Sequence, residues 1–271
     1  MTDKKAPVFF TIAALRHEPV AAFESLYWPK VHDELRKKGY AGNVEVEDSS
    51  IQLHFGPEVP QTETRNRTWT VFTPDRQHAY SFNDGGIFSF HTSDYTTRTD
   101  LFAAFRTGLE VLHKHVQLQT YLSVGVRMLD LVRPSDTGQH FADYLQPSLM
   151  GFLGLPHIDG EWSHQTTSLH QRFADGDAEV AARFDCLPTN FGIQFELFSA
   201  VKGHALPSFL TAAPGHPHGI LDIDSHTRDM QPKQFDVGVV IEALTEHKNR
   251  ISKTFYAATT SVAQTHWGLK P

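Results

Sequence analysis

The sequence predicts an α+β fold: a mostly antiparallel sheet, or sheets, with long amphipathic helices packed on one face. Two groups of short segments alternate apolar and polar residues, and a longer segment with helical spacing follows each group. Between two of the short segments, residues 83–86 (Asn-Asp-Gly-Gly) have the composition of a hairpin turn. An antiparallel sheet with helices on one face buries the apolar side of every such segment.

The predicted strands follow from period-two alternation or from short buried apolar runs. In the first half they are residues 8–15, 44–47, 51–55, 68–73, 79–82, 87–91 and 121–132, with a loop at residues 56–67. In the second half they are residues 166–173, 178–184, 192–198 and 220–224, with a loop at residues 207–219.

Four segments have the spacing of helices. They are residues 20–38, 99–116, 141–152 and 236–266. Pro29 lies inside the first segment and predicts a kink or a break, because proline removes a backbone donor. Thr97 or Thr99 caps the second. The last segment has the longest apolar stripe of the chain and is expected to pack along the sheet.

The order of elements suggests two similar α+β halves, residues 1–134 and residues 135–271, within one compact unit. The order along the chain is strand, helix, strands, helix and strand, and then helix, strands and helix, although no sequence repeat is detectable. A chain of 271 residues is long enough to bury a substantial core in either arrangement.

Composition disfavours several classes of protein. The net charge is −7, and the longest basic run is residues 36–38, whereas phosphate binding needs a basic surface. We expect no leader peptide and no membrane-spanning segment. The single cysteine, Cys186, rules out an internal disulfide framework and favours a reducing cytoplasm. We expect it to be a small buried apolar residue.

Several blocks occur in a fixed order along the chain. They are residues 69–75 (WTVFTPD), 93–97 (SDYTT), 124–134 (VGVRMLDLVRP) and 221–224 (LDID), followed by a last helix with Leu244, His247, Ile251 and Phe255. Together they resemble, over nearly the whole chain, a sporadically distributed prokaryotic family of uncharacterised proteins of about this length. In that family the middle strand reads like GLRYxN and the last helix carries a Leu-His pair. Here residues 125–130 read GVRMLD, and residues 245–247 read Thr-Glu-His.

The resemblance implies a fold but no activity, because the family has none established. Its patchy occurrence is typical of mobile, defence or toxin–antitoxin genes. This implication is an analogy at the level of the family.

The densest polar segment of the chain is residues 216–226. If its second part is extended, Asp222, Asp224 and His226 share one face, and two carboxylates with an imidazole can bind a divalent metal ion. The competing interpretation is a strand with a polar face, whose carboxylates pair with an arginine. Spacings typical of zinc sites, such as HExxH, do not occur.

Arg127 lies in an otherwise apolar strand, with Asp130 on the opposite face of that strand. A charge in such a strand needs a partner, and Asp222 or Asp224 could form a bidentate pair with the guanidinium. The alternative is that Arg127 binds an anion or a substrate. His247 lies on the apolar stripe of the last helix and is expected to be a hydrogen-bonded core residue.

The leading functional hypothesis is a protein-binding or assembly subunit without catalytic activity, in a prokaryotic defence or toxin–antitoxin system. It needs no cofactor and acts through a protein partner or a homo-oligomer. It follows from the absence of a nucleophile elbow, a P-loop and a dinucleotide fingerprint. The first alternative is a metal-dependent, nuclease-like enzyme that uses residues 216–226. The second is an RNA-binding module that stacks bases on sheet aromatics: Trp69, Phe72, Tyr80, Phe82, Phe88 and Phe90.

Overall fold

The structure, a computed structural model, describes residues 7–52, 62–134, 140–149, 167–187, 193, 201–207, 210 and 218–269. Its strands are β1 (Val8–Arg16), β2 (Gly42–Gln52), β3 (Thr62–Phe72), β4 (His78–Asn83), β5 (Ile87–Thr92), β6 (Thr120–Tyr121), β7 (Ser123–Val132), β8 (Thr167–Asp175), β9 (Ala178–Leu187), β10 (His218–Thr227) and β11 (Lys233–Gln234). Nine of these form one antiparallel sheet in the order β2-β3-β4-β5-β1-β7-β10-β9-β8, and β6 pairs with β11.

Two neighbouring strands, β1 and β7, form the centre of this sheet. They run antiparallel, with Ala13 opposite Val126. From β1 the sheet continues outward through β5, β4, β3 and β2, and from β7 through β10, β9 and β8. On each side of this centre the described strands follow the same order, and we call β1–β5 the first half of the sheet and β7–β10 the second half.

The helices are α1 (Trp28–Lys37), α2 (Arg98–Val116), α3 (Phe141–Tyr144), α4 (Val237–Ala258) and α5 (Ser261–His266). A π-helical turn, Phe23–Tyr27, precedes α1, and Pro29 lies in the first turn of α1, so the break predicted at this proline is confirmed. The Thr97 hydroxyl accepts a hydrogen bond from the backbone N–H of Asp100 and caps α2. In the described ranges, no helix has the length and apolar character needed to cross a membrane.

The main core lies between one face of the sheet and helices α1, α2 and α4. Leu109 of α2, Leu244 of α4 and Val31 of α1 are fully buried in it. Five of the aromatic residues considered for base stacking belong to this core: Trp69, Tyr80, Phe82, Phe88 and Phe90. Their rings pack under helices, which explains their number without a nucleic acid.

The opposite face of the sheet, which we call the open face, has a smaller core at one end. Phe10, Leu129 and Ile220 are buried there with Val201 and Leu210, which belong to the connection between β9 and β10. The backbone N–H of Ala205 donates to the carbonyl of Arg76, which fixes the connection to the turn between β3 and β4. This end of the open face is therefore covered.

Two predictions about the first half are wrong in detail. Residues 62–67 were expected to be a loop, but they pair with β2 as the first part of β3, from Thr62 opposite Gln52. The predicted break between residues 47 and 51 is also absent, since β2 runs without interruption. Both segments lie at the edge of the sheet, where polar residues are compatible with a strand and alternation is a weak signal.

The last helix is shorter than predicted. It ends at Ala258, and a separate helix begins at Ser261, because Thr259 is extended and the Thr260 hydroxyl caps the new helix at the N–H of Ala263. Val262, expected on the buried stripe, is consequently exposed. In the segment 141–152, α3 ends at Tyr144 and a 3₁₀ turn follows at Pro147–Leu149. The strand predicted at residues 192–198 lies outside the described residues, apart from Ile193.

Candidate functional site

The uncovered end of the open face contains a cavity of about 270 Å³ at the centre of the sheet. We call it the open cleft. Strands β1, β5, β7 and β10 contribute its walls, so both halves of the sheet contribute to it. Its lining includes Ile12, Ala14, Arg16, Ile87, Gly125, Arg127, Asp224, His226 and Met230. Two of the residues identified as ligand candidates, Asp224 and His226, therefore lie beside Arg127.

Arg127 forms a bidentate ion pair with Asp222. Its Nε donates to Oδ1 at 2.8 Å, and its Nη2 donates to Oδ2 at 2.6 Å. Asp224 lies directly opposite Arg127 in the β7–β10 register, but the guanidinium reaches diagonally to Asp222. Asp222 is buried, whereas 34 % of the Arg127 side chain is exposed. The pair predicted for Arg127 therefore exists, and it fixes a guanidinium with its edge at the cleft.

Asp224 and His226 form a second polar pair. The two residues share one face of β10, and Nδ1 of His226 lies 2.7 Å from Oδ2 of Asp224. The hydrogen bond that His226 donates to the Asp224 carboxylate raises the pKa of His226 above its ordinary value, against the effect of burial. Since Nδ1 is engaged, Nε2 is the nitrogen that can meet a ligand.

Gly125 allows His226 to take its position. The two residues are opposite each other in β7 and β10. A Cβ at Gly125 would lie 2.8 Å from the Cβ of His226 and 3.1 Å from the carbonyl oxygen of Ser225. Any larger residue would therefore push the strands or the imidazole away, and would also fill the floor of the cleft.

The remaining walls of the open cleft are mostly apolar. Ile12 and Ala14 form part of the floor, and Ile87 and Met230 are large apolar side chains that stay exposed. A guanidinium nitrogen of Arg16 lies 3.8 Å from the Met230 sulfur. In the described part of the chain no carboxylate pairs with Arg16. The cleft thus combines an apolar floor with one uncompensated cation at its rim.

The three candidate metal ligands are engaged in different contacts. Asp222 is bound to Arg127, while Asp224 is bound to His226. Among the residues that the structure describes, no three His, Cys, Asp or Glu side chains are grouped so that they could hold a metal ion. Metal binding by Asp222, Asp224 and His226 would require the Arg127 pair to open.

Asp130 is a perturbed group that the sequence did not single out. As expected, it lies on the face of β7 opposite Arg127, under the helices, and it is 2 % exposed. Its Oδ1 is buried without a hydrogen-bond partner. Burial raises the pKa of Asp130 to about 7, although Lys248 acts in the opposite direction. Sequence alone shows an acid in an apolar strand, but not whether a partner reaches it.

Two further predictions about single residues are confirmed. His247 is buried and hydrogen-bonds Ser225 at 2.9 Å and Thr227 at 3.3 Å, and burial lowers its pKa to about 4. It is therefore a satisfied core residue of α4. Cys186 is buried in the main core, and its burial raises the pKa of the thiol to about 11.

Comparisons of the chain with protein-family models, with curated proteins and with solved structures give no match. The functional argument therefore depends on the open cleft itself.

Proposed function

We propose that the protein is a binding subunit whose open cleft receives a segment of a partner protein, in which an apolar side chain lies next to a carboxylate. The single observation that carries the proposal is the composition of the cleft. Exposed apolar side chains, Ile87 and Met230, lie beside the unpaired guanidinium of Arg16. Methionine and arginine around an apolar centre are typical of protein interfaces.

The charges around the cleft favour an acidic partner group. Asp222 pairs with Arg127 and Asp224 with His226, so that Arg16 is the cation at the cleft that no carboxylate of the described residues binds. The whole chain carries −7, which makes this a local cationic site on an acidic molecule. A carboxylate placed between Arg16 and His226 would gain charge-assisted hydrogen bonds from both.

The size of the cleft favours a protein segment over a cofactor. Pockets for drug-sized ligands have volumes of roughly 300–1,000 Å³, and the open cleft, at about 270 Å³, lies just below that range. It can hold one apolar side chain and a neighbouring carboxylate. The net charge of −7 disfavours a phosphate backbone, which needs an extended basic surface, and this favours a protein over RNA. A place in a defence or toxin–antitoxin system remains a prediction from the resemblance.

A peptide titration tests this proposal on the full chain. The probe is a capped tetrapeptide Gly-Leu-Glu-Gly, and the readout is the NMR signals of the Met230 methyl group and the His226 ring. We expect the signals of these two residues to shift together as the peptide is added. Matched peptides with Gln for Glu, or Ala for Leu, should bind at least about tenfold more weakly, since each removes one of the two contacts.

Two variants provide the matched control. Arg16→Gln should weaken binding of the acidic peptide and reduce its dependence on salt, because it removes the excess cation at the rim. Arg36→Gln changes an equally simple exposed arginine, on α1, and should leave binding unchanged. Equal binding by both variants, or peptide-induced shifts remote from the cleft, would contradict the proposal.

A second candidate is a hydrolytic enzyme centred on the Asp224–His226 pair. The observation in its favour is the hydrogen bond that orients the imidazole and leaves Nε2 for a substrate, as in general acid–base catalysis. In the metal-dependent form of this candidate, the carboxylates would bind a divalent ion. Elemental analysis of the purified protein, beside Asp222→Ala and Asp224→Ala variants, distinguishes that form, because only the unaltered chain should then retain metal.

A further inference from the structure

Among the strands that the structure describes, β8 is an edge of the nine-stranded sheet. It contains nine residues and pairs with β9 in an uninterrupted register, from Thr167 opposite Cys186 to Asp175 opposite Ala178. From residue 168 to residue 175 every side chain is exposed except Leu169, which is half-buried. Another strand could therefore pair with the outer backbone groups of β8. The other edge strand, β2, is longer, but most of its side chains lie outside the described residues.

This edge lacks the usual protection against pairing. Proteins commonly protect a sheet edge with lysine, proline, a β-bulge or a very short strand. The β8 sequence, TSLHQRFAD, has neither lysine nor proline, and its register shows no bulge. It also exposes a large apolar side chain on the helix face, since Phe173 is 49 % exposed beside Val180 of β9.

We propose that β8 is a homodimer interface, where β8 of a second copy pairs with it antiparallel about a two-fold axis at Gln171. A two-fold axis normal to the sheet always places one residue opposite itself. With Gln171 on the axis, Leu169 of each copy lies opposite Phe173 of the other, so that two apolar pairs form. An axis at His170 or at Arg172 would leave both apolar side chains opposite polar ones.

The polar side of β8 is compatible with this register. His170 of one copy lies opposite Arg172 of the other, on the open face. Arg172 already forms an ion pair with Glu179 of β9, with Nε at 3.4 Å from Oε1, so its charge is compensated. The interface is independent of the open cleft, which lies at the centre of the sheet.

Disulfide trapping tests the register directly. Opposite residues of an antiparallel pair have Cα atoms within about 5.5 Å, a separation that a disulfide can bridge. Gln171→Cys should therefore form a covalent dimer under mild oxidation, whereas Ser168→Cys should not, because its two copies would be about 20 Å apart. The native Cys186 is buried and should not compete.

Analytical ultracentrifugation tests whether the unmodified chain dimerises. Phe173→Lys should raise the dimer dissociation constant about tenfold or more, because it removes both apolar pairs and adds a charge to the edge. Val239→Lys is the matched control, as Val239 on α4 is exposed to the same extent, 48 %. A chain that stays monomeric at all concentrations, equal trapping of Gln171→Cys and Ser168→Cys, or open-ended oligomers would each overturn the two-fold pairing.

Discussion

The two halves of the sheet differ most in one connection. In the first half, β4 reaches β5 through a tight turn at residues 84–86, whereas in the second half β9 reaches β10 through residues 188–217. The described parts of the longer connection pack on the open face against Phe10 and cover that end. At the other end of the open face the described residues contribute only the tight turn, and the open cleft lies there. The position of the cleft is thus a consequence of unequal connections on a nearly symmetric sheet.

A pair of histidines shows what this difference does chemically. In β5, His91 is hydrogen-bonded to Ser89, two residues earlier on the same face, at 2.8 Å. In β10, His226 is bonded to Asp224 in the same relation. His91 lies under the connection, next to the ring of His204, and burial lowers its pKa to about 3. His226 is uncovered and has a carboxylate partner, which raises its pKa.

The comparison teaches that local geometry alone does not define a functional histidine. Both rings bond a side chain two residues earlier in the strand, His91 through Nε2 and His226 through Nδ1. Burial under the connection between β9 and β10 holds the ring of His91 neutral. The carboxylate of Asp224 favours a positive charge on the ring of His226. Only the second histidine can carry a charge at a surface that a ligand can reach.

The largest expected effect on the free energy of unfolding comes from removing the Asp222 carboxylate of β10. Asp222→Ala should lower the free energy of unfolding by about 2 kcal/mol, because Arg127 would keep its charge without its partner. This is below the value of roughly 3–5 kcal/mol for a fully buried pair, since about a third of the Arg127 side chain is exposed. Urea unfolding at neutral pH measures it.

The matched change in the first half is Ser89→Ala, which removes one neutral hydrogen bond and should cost at most about 1 kcal/mol. The double variant Arg127→Met with Asp222→Leu should recover most of the stability lost in Asp222→Ala. If Ser89→Ala and Asp222→Ala proved equally destabilising, the ion pair would have no special structural role.

An effect of similar size, which develops only on acidification, concerns His91. The pKa of His91 is lower in the folded chain than in the unfolded chain, so the unfolded state binds the proton first as the pH falls. The contribution of neutral His91 to the free energy of unfolding is intact above the ordinary histidine pKa of about 6.5. It is lost progressively as the pH falls toward 3. Between about pH 7 and pH 5 this amounts to about 2 kcal/mol, which His91→Gln should remove.

The corresponding change in β10 should have the opposite sign. The pKa of His226 is raised in the folded chain, so its contribution is full at low pH and is lost as the pH rises through the folded value. His226→Gln should therefore make the protein less stable at pH 5 relative to the unaltered chain, while His91→Gln makes it more stable. Thermal unfolding of both variants across this range checks the sign. A common direction of change would mean that the cover does not separate the two rings.

The sequence predicted those parts of the fold that depend on local patterns. The strands around Arg127 and Asp222, the cap at Thr97 and the break at Pro29 follow from alternation, hydrogen-bond donors and proline chemistry. The first part of β3, the continuity of β2 and the end of α4 were missed. The first two depend on tertiary pairing, and the third depends on two successive threonines. The sequence left Asp222 and Asp224 as two possible partners of Arg127. Arg127 pairs with Asp222, which is not directly opposite it, because of the strand register and the rotamer of the arginine.

The open cleft itself could not be predicted from the sequence. Its walls come from four strands that are distant in the chain, and its existence depends on which end of the sheet the connection between β9 and β10 covers. No pattern in the sequence predicts that Arg16 and Met230 lie next to each other, since they are far apart in the chain. Asp130 was correctly placed on the face opposite Arg127, but the absence of a described hydrogen-bond partner for its Oδ1 depends on the packing of α4.

The smallest expected effect on the free energy of unfolding is that of Asp224→Asn. This variant tests why the pKa of His226 is raised whereas that of His91 is lowered. Asp224→Asn should lower the pKa of His226, because an amide cannot stabilise the imidazolium as a carboxylate does. Stability at neutral pH should change by no more than about 0.5 kcal/mol, since both side chains are about a third exposed and solvent screens the pair. Ring signals in an NMR pH titration measure the pKa, and those of His91 should not move.

Glu179 is the rival cause, because its charge also raises the pKa of His226. Glu179→Gln is therefore the control, and it should lower the pKa less than Asp224→Asn does. A larger shift in Glu179→Gln would assign the charge on His226 to the field of β9 and not to the hydrogen bond within β10. Then the local pair Asp224–His226 would resemble the Ser89–His91 pair in role as well as in geometry, and the carboxylate of a bound partner would have Arg16 alone as its main contact.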